Sequence, residues 1–290
     1  MFANAYDLAQ DYTRPAIISV RLADNTVSSG VGAFVMLNAD GWFATAAHLL
    51  QSYLQHQQDL PLYQGYLADC GAIESNTTLD YKRKQKAISR LTYNPEWIVD
   101  HAFWWSDDAW RVSAYHIHND VDLAIARIDN FTSSAIRHYP RIIEPNKIRC
   151  GTSLCRLGFP FHEIRSSWDN DINGFRIDPA VFPIPRFPID GILTRIMERA
   201  DASGKPVGKM IETSGPGLRG QSGGPIFDVH GNLWGIQSVT NHLRLGFEPV
   251  VKLANGKEVV EHQFINVGIG SHSETLRDML SSFKIAYTSA

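Results

Sequence analysis

The chain has 290 residues, of which 44% are hydrophobic and 20% are charged. This composition supports a large core and argues against a globally disordered protein. The formal net charge of −3 gives no electrostatic reason to expect nucleic acid or an acidic membrane surface as a partner. No run approaches the roughly 18–20 consecutive apolar residues of a membrane-spanning helix.

The N-terminal segment and the cysteines indicate the compartment. MFANAYDLAQDYTRP lacks the basic patch and apolar run of a secretory signal, so we expect a cytoplasmic protein. The three cysteines, Cys70, Cys150 and Cys155, are an odd number in a chain of this length and do not indicate a disulfide framework. We expect them to be buried or idle thiols.

The predicted elements begin with a short helix over ANAYDLAQDY, in which Ala5, Leu8 and Ala9 share one face. A series of short runs rich in β-branched and aromatic residues follows. These runs cover residues 16–22, 30–37, 41–50, 121–129, 153–160, 232–239 and 263–270. NADG at 38–41 and DVHGN at 228–232 are typical of hairpin turns. Many short strands joined by tight turns favour a sandwich or barrel over alternating βαβ units.

Between these strands, two stretches read as insertions. Residues 91–115 carry Trp97, Trp104, Trp105 and Trp110, which either pack down their own loop or form a partner or lid surface. Residues 161–190 contain DPAVFPIPRFP, whose prolines favour an extended loop.

Two shorter motifs also receive simple interpretations. The basic run YKRKQK at 81–86 is interpreted as a solvated edge or hairpin. HIH at 116–118 places two imidazoles on one strand face, but with no fourth ligand in view we expect no metal site.

The last predicted element is a helix over SETLRDMLSSF at 273–283. Its apolar residues recur at helical spacing, and Ser273 can cap its N-terminus. These apolar residues are Leu276, Met279, Leu280 and Phe283.

The hexapeptide GQSGGP at 220–225 places one hydroxyl, that of Ser222, among glycines. A serine nucleophile needs a base and a set of donors for the oxyanion, and glycines allow backbone N–H groups to converge on one point. The N–H groups of Gly220 and Ser222 are the candidate pair. The pattern G-x-S-x-G also fits a nucleophile elbow, with His262 and Asp228 as partners, but the hairpin predicted after the serine disfavours that alternative.

An upstream base and acid are available instead. His48 follows a strand amid small residues in FATAAHLL, and Asp122 heads the apolar run of DVDLAIARI. A carboxylate at that position is costly unless paired, and a histidine N–H would pair with it while fixing the imidazole tautomer. The order His, Asp, Ser therefore predicts a nucleophilic triad of His48, Asp122 and Ser222.

The blocks TAAH, DLAI and GQSGGP together resemble the three signatures of chymotrypsin-fold (trypsin-like) serine proteases. The stretch from RPAIISV to TAAHLL, the segment GTSLCRLGFPF and the segment FINVGIGSHSETLRDML resemble the HtrA-type branch. The similarity covers roughly residues 12–50, 118–160 and 191–285. The sequence departs from the branch in three ways: it contains no peptide-binding PDZ domain, it has no IVGG-like start for activation by processing, and it carries two insertions. The first insertion, at 51–117, includes the tryptophan-rich residues 91–115, and the second is at 161–190.

The resemblance implies an all-β fold of two packed six-stranded antiparallel barrels with a C-terminal helix. Residues 1–145 would form the N-terminal barrel half with the tryptophan-rich insertion, residues 146–290 the C-terminal half, and together one peptidase unit. Ser222 would attack the scissile carbonyl, with His48 as general base and Asp122 orienting it. The N–H groups of Gly220 and Ser222 would form the oxyanion hole.

The resemblance also places the primary specificity pocket at Pro216, with Ser238 and Thr240 on its walls. Because no carboxylate occupies these positions, we expect cleavage after small or medium apolar residues, with His242 leaving an acidic or amide side chain as an alternative. The implied activity is that of a serine endopeptidase forming an acyl-enzyme, without metal or organic cofactor, acting on a protein or peptide. A catalytically silent or partner-gated interaction module, and an esterase, remain alternatives. A regulatory partner would bind through the insertions.

Overall fold

A computed structural model of the protein describes residues 1–105, 108–132, 134 and 136–290. Its strands form two large sheets, the first within residues 13–128 and the second within residues 141–289. Among the helices of these ranges, none combines the length and the hydropathy needed to cross a membrane.

The first sheet curls into a barrel. Its strands are β1 Thr13–Leu22, β2 Val27–Met36, β3 Trp42–Ala46, β4 Ile98–Trp105, β5 Asp108–Trp110, β6 Val112–His118 and β7 Leu123–Ile128. Their order across the sheet is β5-β4-β1-β2-β3-β7-β6. Although β5 and β6 end this order on opposite sides, only Arg111 separates them along the chain. They are therefore two parts of one bent strand, and the sheet closes as the predicted six-stranded barrel.

The second sheet contains a complete ring. Its strands are β8 Arg141–Ile142, β9 Ser153–Gly158, β12 Phe187–Ala200, β13 Pro206–Thr213, β14 Pro225–Phe227, β15 Leu233–Arg244, β18 Phe264–His272 and β19 Thr288–Ser289. The order β14-β9-β12-β13-β18-β15 is closed by a further pairing of β14 with β15. This ring confirms the second six-stranded barrel. Two further hairpins lie outside this ring, β10 Ser166–Asp169 with β11 Gly174–Ile177, and β16 Val250–Lys252 with β17 Glu258–Val260.

One continuous core joins the barrels. Phe34 and Ile125 of the first barrel belong to the same buried cluster as Leu157, Phe227 and Ile236 of the second. Because these side chains exclude water from both sheets at once, the two barrels are held in one fixed arrangement. The loops at their junction are therefore rigidly positioned.

The helices match the predictions at the two ends of the chain. Helix α1 spans Ala3–Tyr12 and buries Ala5 and Ala9, whereas Leu8 is exposed. Helix α4 spans Ser273–Ser282. The predicted cap at Ser273 is wrong, because the Nδ1 atom of His272 accepts the Glu274 N–H at 2.9 Å.

The predicted insertion at 51–117 is shorter than expected, because β4 to β6 within it are barrel strands. The inserted segment consists of helix α2 Gln51–Ser75 and helix α3 Tyr81–Ile88. YKRKQK lies in α3, so its interpretation as a strand edge or hairpin is wrong. The buried Asp59 of α2 accepts the Ile98 N–H at 2.9 Å and thereby fastens the insertion to the barrel.

The tryptophan-rich segment belongs to the first barrel rather than to a separate lid. Trp110 lies against Phe34 and Phe43 and stacks on Phe103 at 4.8 Å between ring centroids. Trp105 also packs edge-on against Phe34. These rings therefore fill the barrel.

The segment 161–190 contains the β10–β11 hairpin and the start of β12, so it is not wholly an extended loop. In HIH, His116 stacks on the ring of Phe283, and His118 Nε2 lies 2.8 Å from the Val207 carbonyl. Across the described ranges no three histidine, cysteine, aspartate or glutamate residues are grouped to hold a metal.

Candidate active site

Strand pairing brings His48 and Asp122 together. β3 and β7 are antiparallel with Ala46 opposite Leu123, so the residues just beyond the two strand ends are neighbours. The chain turns at Asp122, which adopts a left-handed backbone with φ 50°. This turn directs its carboxylate at His48, whose backbone N–H donates to Oδ1 at 2.9 Å and whose Nδ1 lies 2.8 Å from Oδ2.

The Asp122 carboxylate accepts a third hydrogen bond. The hydroxyl of Ser238 donates to Oδ2 at 2.5 Å. Burial would raise the pKa of Asp122, but the hydrogen bonds from His48 and Ser238 outweigh burial and hold this pKa below its ordinary value. Asp122 is therefore a charged acceptor that fixes the orientation of the His48 ring and places its proton on Nδ1.

Ser222 lies on the loop between the barrels. Its carbonyl accepts the Ala33 N–H of the first barrel at 2.8 Å, and the Gly223 N–H donates to Gln237 O in the second barrel at 2.7 Å. Gly223 has φ +82°, and a Cβ there would collide with the Ala33 carbonyl and the Thr45 hydroxyl. Glycine is thus required where the serine loop passes between the barrels.

The Ser222 hydroxyl faces the same cleft as His48 and Asp122. In the structure it donates to the Ser238 carbonyl at 3.1 Å. This hydrogen bond must therefore be broken before the hydroxyl can donate to Nε2 of His48, the ring nitrogen that Asp122 leaves free.

Two N–H groups of the serine loop are placed to receive an anion. The Gln221 N–H donates to Leu218 O at 2.9 Å, which closes a turn with Gly220 at its third position and φ +94°. The Gly224 N–H donates to Gln221 O. Among the backbone hydrogen bonds made outside helices and strands in the described part of the chain, none has the Gly220 N–H or the Ser222 N–H as its donor. Both N–H groups are therefore available to bind an anion.

The cleft beside Ser222 has a volume of about 890 Å³. Residues from both barrels line it. Asn119, Asp120 and Val121 contribute from the first barrel, and Pro216, Gly217, Leu218, Arg219, Gln237, Val239, Thr240, His242 and Asn266 from the second. The predicted pocket residues Pro216, Ser238 and Thr240 all lie in this cleft.

The walls of the expected primary pocket are joined to each other. The Thr240 hydroxyl donates to the Gly217 carbonyl at 2.5 Å. A Cβ on Gly217 would collide with the side-chain amide of Gln237, which is 1% exposed. Gln237 Nε2 donates to Val239 O at 2.9 Å, while its Oε1 has no partner among the described residues. Gln237 and Thr240 therefore make this part of the cleft shallow.

Arg156 on β9 is a residue that sequence reasoning missed. The residue is 2% exposed, and its guanidinium donates to Pro216 O at 2.5 Å and to Gly215 O at 2.7 Å. Burial lowers its pKa to about 10, which still leaves it charged at neutral pH. A cation inside an apolar run, as in SLCRLG, was the available sequence signal.

The alternative partners of a nucleophile elbow are not assembled. Asp228 Oδ2 accepts the Trp234 Nε1–H at 2.9 Å, and its Oδ1 accepts turn N–H groups. His262 Nδ1 lies 2.8 Å from Glu248 Oε1 on the surface. Each side chain is occupied elsewhere.

Comparisons with known proteins agree with this fold. A family model described as a trypsin-like peptidase domain matches residues 30–236. Among solved structures, the HtrA-type protease AlgW with decapeptide is similar at TM-score 0.53 and 14% identity, covering 98% of this chain and 68% of that one. AlgW with tripeptide is similar at TM-score 0.51 and 15% identity, covering 98% and 63%. This chain thus spans about two thirds of those chains. No curated protein matches the sequence significantly.

Proposed function

The chain belongs to the family of trypsin-like peptidase domains, and from this premise we propose that it is a serine endopeptidase acting through Ser222, His48 and Asp122. The observation that carries the proposal is the His48–Asp122 pair, bonded at 2.8 Å, in the cleft that also contains the Ser222 hydroxyl.

The proposed reaction has two halves. His48 Nε2 takes the proton of Ser222 Oγ as that oxygen attacks the scissile carbonyl, and His48 then protonates the leaving amine. The acyl-enzyme on Ser222 is hydrolysed when His48 activates a water in the same way. Asp122, kept ionised by the hydrogen bonds it accepts, stabilises the imidazolium in both halves.

The N–H groups of Gly220 and Ser222 form the proposed oxyanion hole. Both are free of backbone acceptors in the described loop, and the turn at Gly220 is fixed by the Phe159 N–H donating to Gly220 O at 2.8 Å. Donors that are fixed in advance need no reorganisation when negative charge develops on the carbonyl oxygen.

We propose that the primary pocket accepts small or medium apolar side chains of the substrate residue before the scissile bond. The Thr240–Gly217 hydrogen bond and the Gln237 side chain limit the depth available. The buried charge of Arg156 behind Pro216 disfavours lysine and arginine, because a second cation nearby would be repelled. Ser238 contributes its backbone, since its hydroxyl is occupied by Asp122.

One observation favours a second candidate, a partner-gated or silent module on the same scaffold. The Ser222 hydroxyl donates to the Ser238 carbonyl at 3.1 Å. A partner or substrate that breaks this hydrogen bond would free the Ser222 hydroxyl to donate to His48 and so activate the site. A regulatory partner that binds through the insertions and a cytoplasmic location both stay predictions.

A fluorophosphonate probe followed by mass spectrometry tests the proposal. We expect a covalent adduct on the peptide containing Ser222, lost in Ser222→Ala and strongly slowed in His48→Ala. Thr213→Ala is the matched control, because this buried hydroxyl lies on β13 and bonds Gly268 O. An unlabelled wild-type protein that nevertheless binds peptides would favour the interaction module.

A further inference from the structure

A long β-hairpin arm, residues 241–265, extends from the second barrel. Strand β15 pairs with β18 as far as its last residue, and the hairpin of β16 and β17 continues from there. Backbone hydrogen bonds connect the two parts: the Leu245 N–H donates to Gln263 O at 3.0 Å, and the Glu261 N–H donates to Pro249 O at 2.9 Å. Every residue of the arm except Gln263 is exposed. The arm therefore lies in solvent rather than against the barrels.

The arm carries a dense set of exposed apolar side chains. Ten of its 25 residues are large, apolar and exposed, and Val250 and Phe247 are the most open of them at 61% and 60%. The ten residues are Leu243, Leu245, Phe247, Val250, Val251, Leu253, Val259, Val260, Phe264 and Ile265. Single exposed apolar residues are common on protein surfaces, but a group of this size marks a surface that binds another molecule.

The arm lacks a neighbouring surface that would cover these side chains. Within the described part of the chain β16 and β17 pair only with each other, and an isolated two-stranded hairpin is marginally stable in water. Cross-strand partners share a face of the hairpin. Val250 lies opposite Val260 on one face, and Val251 lies opposite Val259 on the other. Both faces are therefore apolar, and the arm gains stability when a second surface packs on one of them.

The charges of the arm favour a partner that is itself electrically balanced. The arm contains three arginine or lysine residues and three glutamates, so its formal charge is zero with the histidines neutral. Arg244 lies 3.9 Å from Glu248, and Lys252 lies opposite Glu258 in the strand register. A strongly charged partner, such as nucleic acid or an acidic membrane, would gain nothing from this surface. A second copy of the arm has the same balance and meets it without net repulsion.

The exposed area also matches what a dimer needs. A fully exposed large side chain presents about 150–250 Å², so the exposed fractions of the ten residues amount to on the order of 800 Å². A stable interface buries about 800 Å² on each partner. A dimer interface of ordinary size can therefore be built largely from two arms.

We propose that the arm is a dimerisation surface and that its partner is the arm of a second copy, related to it by a two-fold axis. The face that carries Val251 and Val259 forms the centre of the contact, because β16 and β17 place no charged side chain on it. Lys252 and Glu258 lie on the opposite face. A two-fold axis makes this contact self-complementary, since the same patch is used on both copies. The dimer goes beyond the proposed function and does not require catalytic activity.

Analytical ultracentrifugation of the full chain tests the dimer. We expect a reversible monomer–dimer equilibrium with a dissociation constant of about 1 µM or lower, which is the range for interfaces of this size. Val251→Lys combined with Val259→Lys places like charges at the centre of the contact and should raise the dissociation constant by about 100-fold or more. Val251→Thr combined with Val259→Thr keeps the β-branched shape and the strand propensity, and it should raise the constant about tenfold.

Leu62→Lys combined with Leu67→Lys is the matched control. Both leucines are exposed on helix α2, so the control adds the same charge and removes a similar apolar area away from the arm. Its dissociation constant should stay within about twofold of that of the wild type, because only charges near the contact are felt strongly.

Hydrogen exchange measured by mass spectrometry locates the contact. At protein concentrations above the dissociation constant, the amides of β16 and β17 should exchange more slowly than below it, whereas those of α2 should be unchanged. A dimer in which the arm amides keep their exchange rates would overturn the proposal.

Two further results would also overturn it. One is a wild-type chain that stays monomeric up to about 100 µM, or a dimer that the lysine pair does not weaken. The other is a monomer whose arm binds vesicles of neutral phosphatidylcholine, which would assign the arm to a lipid surface.

The dimer and the proposed function fail independently. Ser222→Ala should dimerise as the wild type does. Labelling of Ser222 in a protein that stays monomeric would contradict only the dimer. A dimer without labelling or cleavage would contradict only the peptidase.

Discussion

Replacing Asp122 with asparagine tests whether this carboxylate sets the proton position on His48. Asparagine has nearly the same shape and tolerates the left-handed backbone at φ 50°. The fold should therefore be kept, and the change is confined to one oxygen that becomes an NH₂ group.

The surrounding donors decide how the asparagine amide sits. With its NH₂ at the Oδ1 position it would face the His48 N–H, so that two donors would meet at 2.9 Å. With its NH₂ at the Oδ2 position it faces His48 Nδ1, which can become an acceptor, and the Ser238 hydroxyl, which can rotate. The second orientation is favoured. His48 then carries its proton on Nε2 and cannot accept one from Ser222.

We expect Asp122→Asn to lower kcat/KM by about 10³–10⁴, the size of effect a wrong tautomer produces in a triad. This equals about 4–5.5 kcal/mol of lost transition-state stabilisation. The free energy of unfolding should fall by only about 1–3 kcal/mol, because a charge-assisted hydrogen bond is weakened but the packing is unchanged. Peptide kinetics and urea denaturation on the same preparation measure the two quantities.

Asp120→Asn is the matched control, since it removes the same charge from the same cleft without a contact to His48. The Asp120 side chain is 55% exposed and lies 4.0 Å from His118 Nδ1. Its kcat/KM should stay within about threefold of wild type. A folded Asp122→Asn protein with kcat/KM within tenfold of wild type would refute the assigned role of Asp122.

Three further predictions concern the oxyanion hole, the primary pocket and acid stability. Gly220→Ala should lower kcat/KM by about 10²–10³, because a side chain strains the backbone at φ +94° and its Cβ would lie 2.5 Å from Phe159 O, which distorts the turn. Gly204→Ala is the control, since this glycine has φ +83° but lies in open space, and kcat/KM should stay unchanged. In a library of peptides that vary at P1, the residue before the scissile bond, Gln237→Ala combined with Thr240→Gly should allow cleavage after leucine and phenylalanine. An unchanged cleavage profile would contradict the shallow pocket. Burial lowers the pKa of His272 from 6.5 to about 4. Its neutral form thus stabilises the fold above pH 6.5, and this stability is lost as pH falls towards 4. Urea denaturation should show a loss of about 2 kcal/mol between pH 7 and pH 5 that His272→Asn removes.

The parts of the fold that the sequence predicts are those whose signals are local. NADG and DVHGN mark their hairpins because tight turns need particular residues, and the helix at 273–282 shows a clear apolar stripe. The N-cap is His272 rather than the predicted Ser273, because a buried, neutral histidine can accept a hydrogen bond as a serine does.

The inserted helix α2 could not be predicted in this way. Asp59 is its one buried residue in the described structure, so it has no apolar stripe to detect. Its attachment depends on the hydrogen bond from the Ile98 N–H to Asp59, a contact 39 residues apart in the chain. The strand character of β4, β5 and β6 is obscured in the sequence by tryptophans that are typical of a loop but fill the barrel.

The candidate site shows the same division. Residue types and their order indicated His48, Asp122 and Ser222, since each block has its own chemical reason. The roles of Ser238, Gln237 and Arg156 depend on contacts across strands, so only the structure shows that the Ser238 hydroxyl serves Asp122 and that a buried cation lies behind Pro216.

The most direct test of the account is a double-mutant cycle on the proposed nucleophile and base, with kcat/KM measured for wild type, Ser222→Ala, His48→Ala and the combined variant. If the two side chains act as one catalytic unit, either single substitution removes nearly all of the rate enhancement, and the combined variant is no slower than the slower single one. Losses that multiply, or a His48→Ala protein that retains most of its activity, would contradict the claim that His48 activates Ser222.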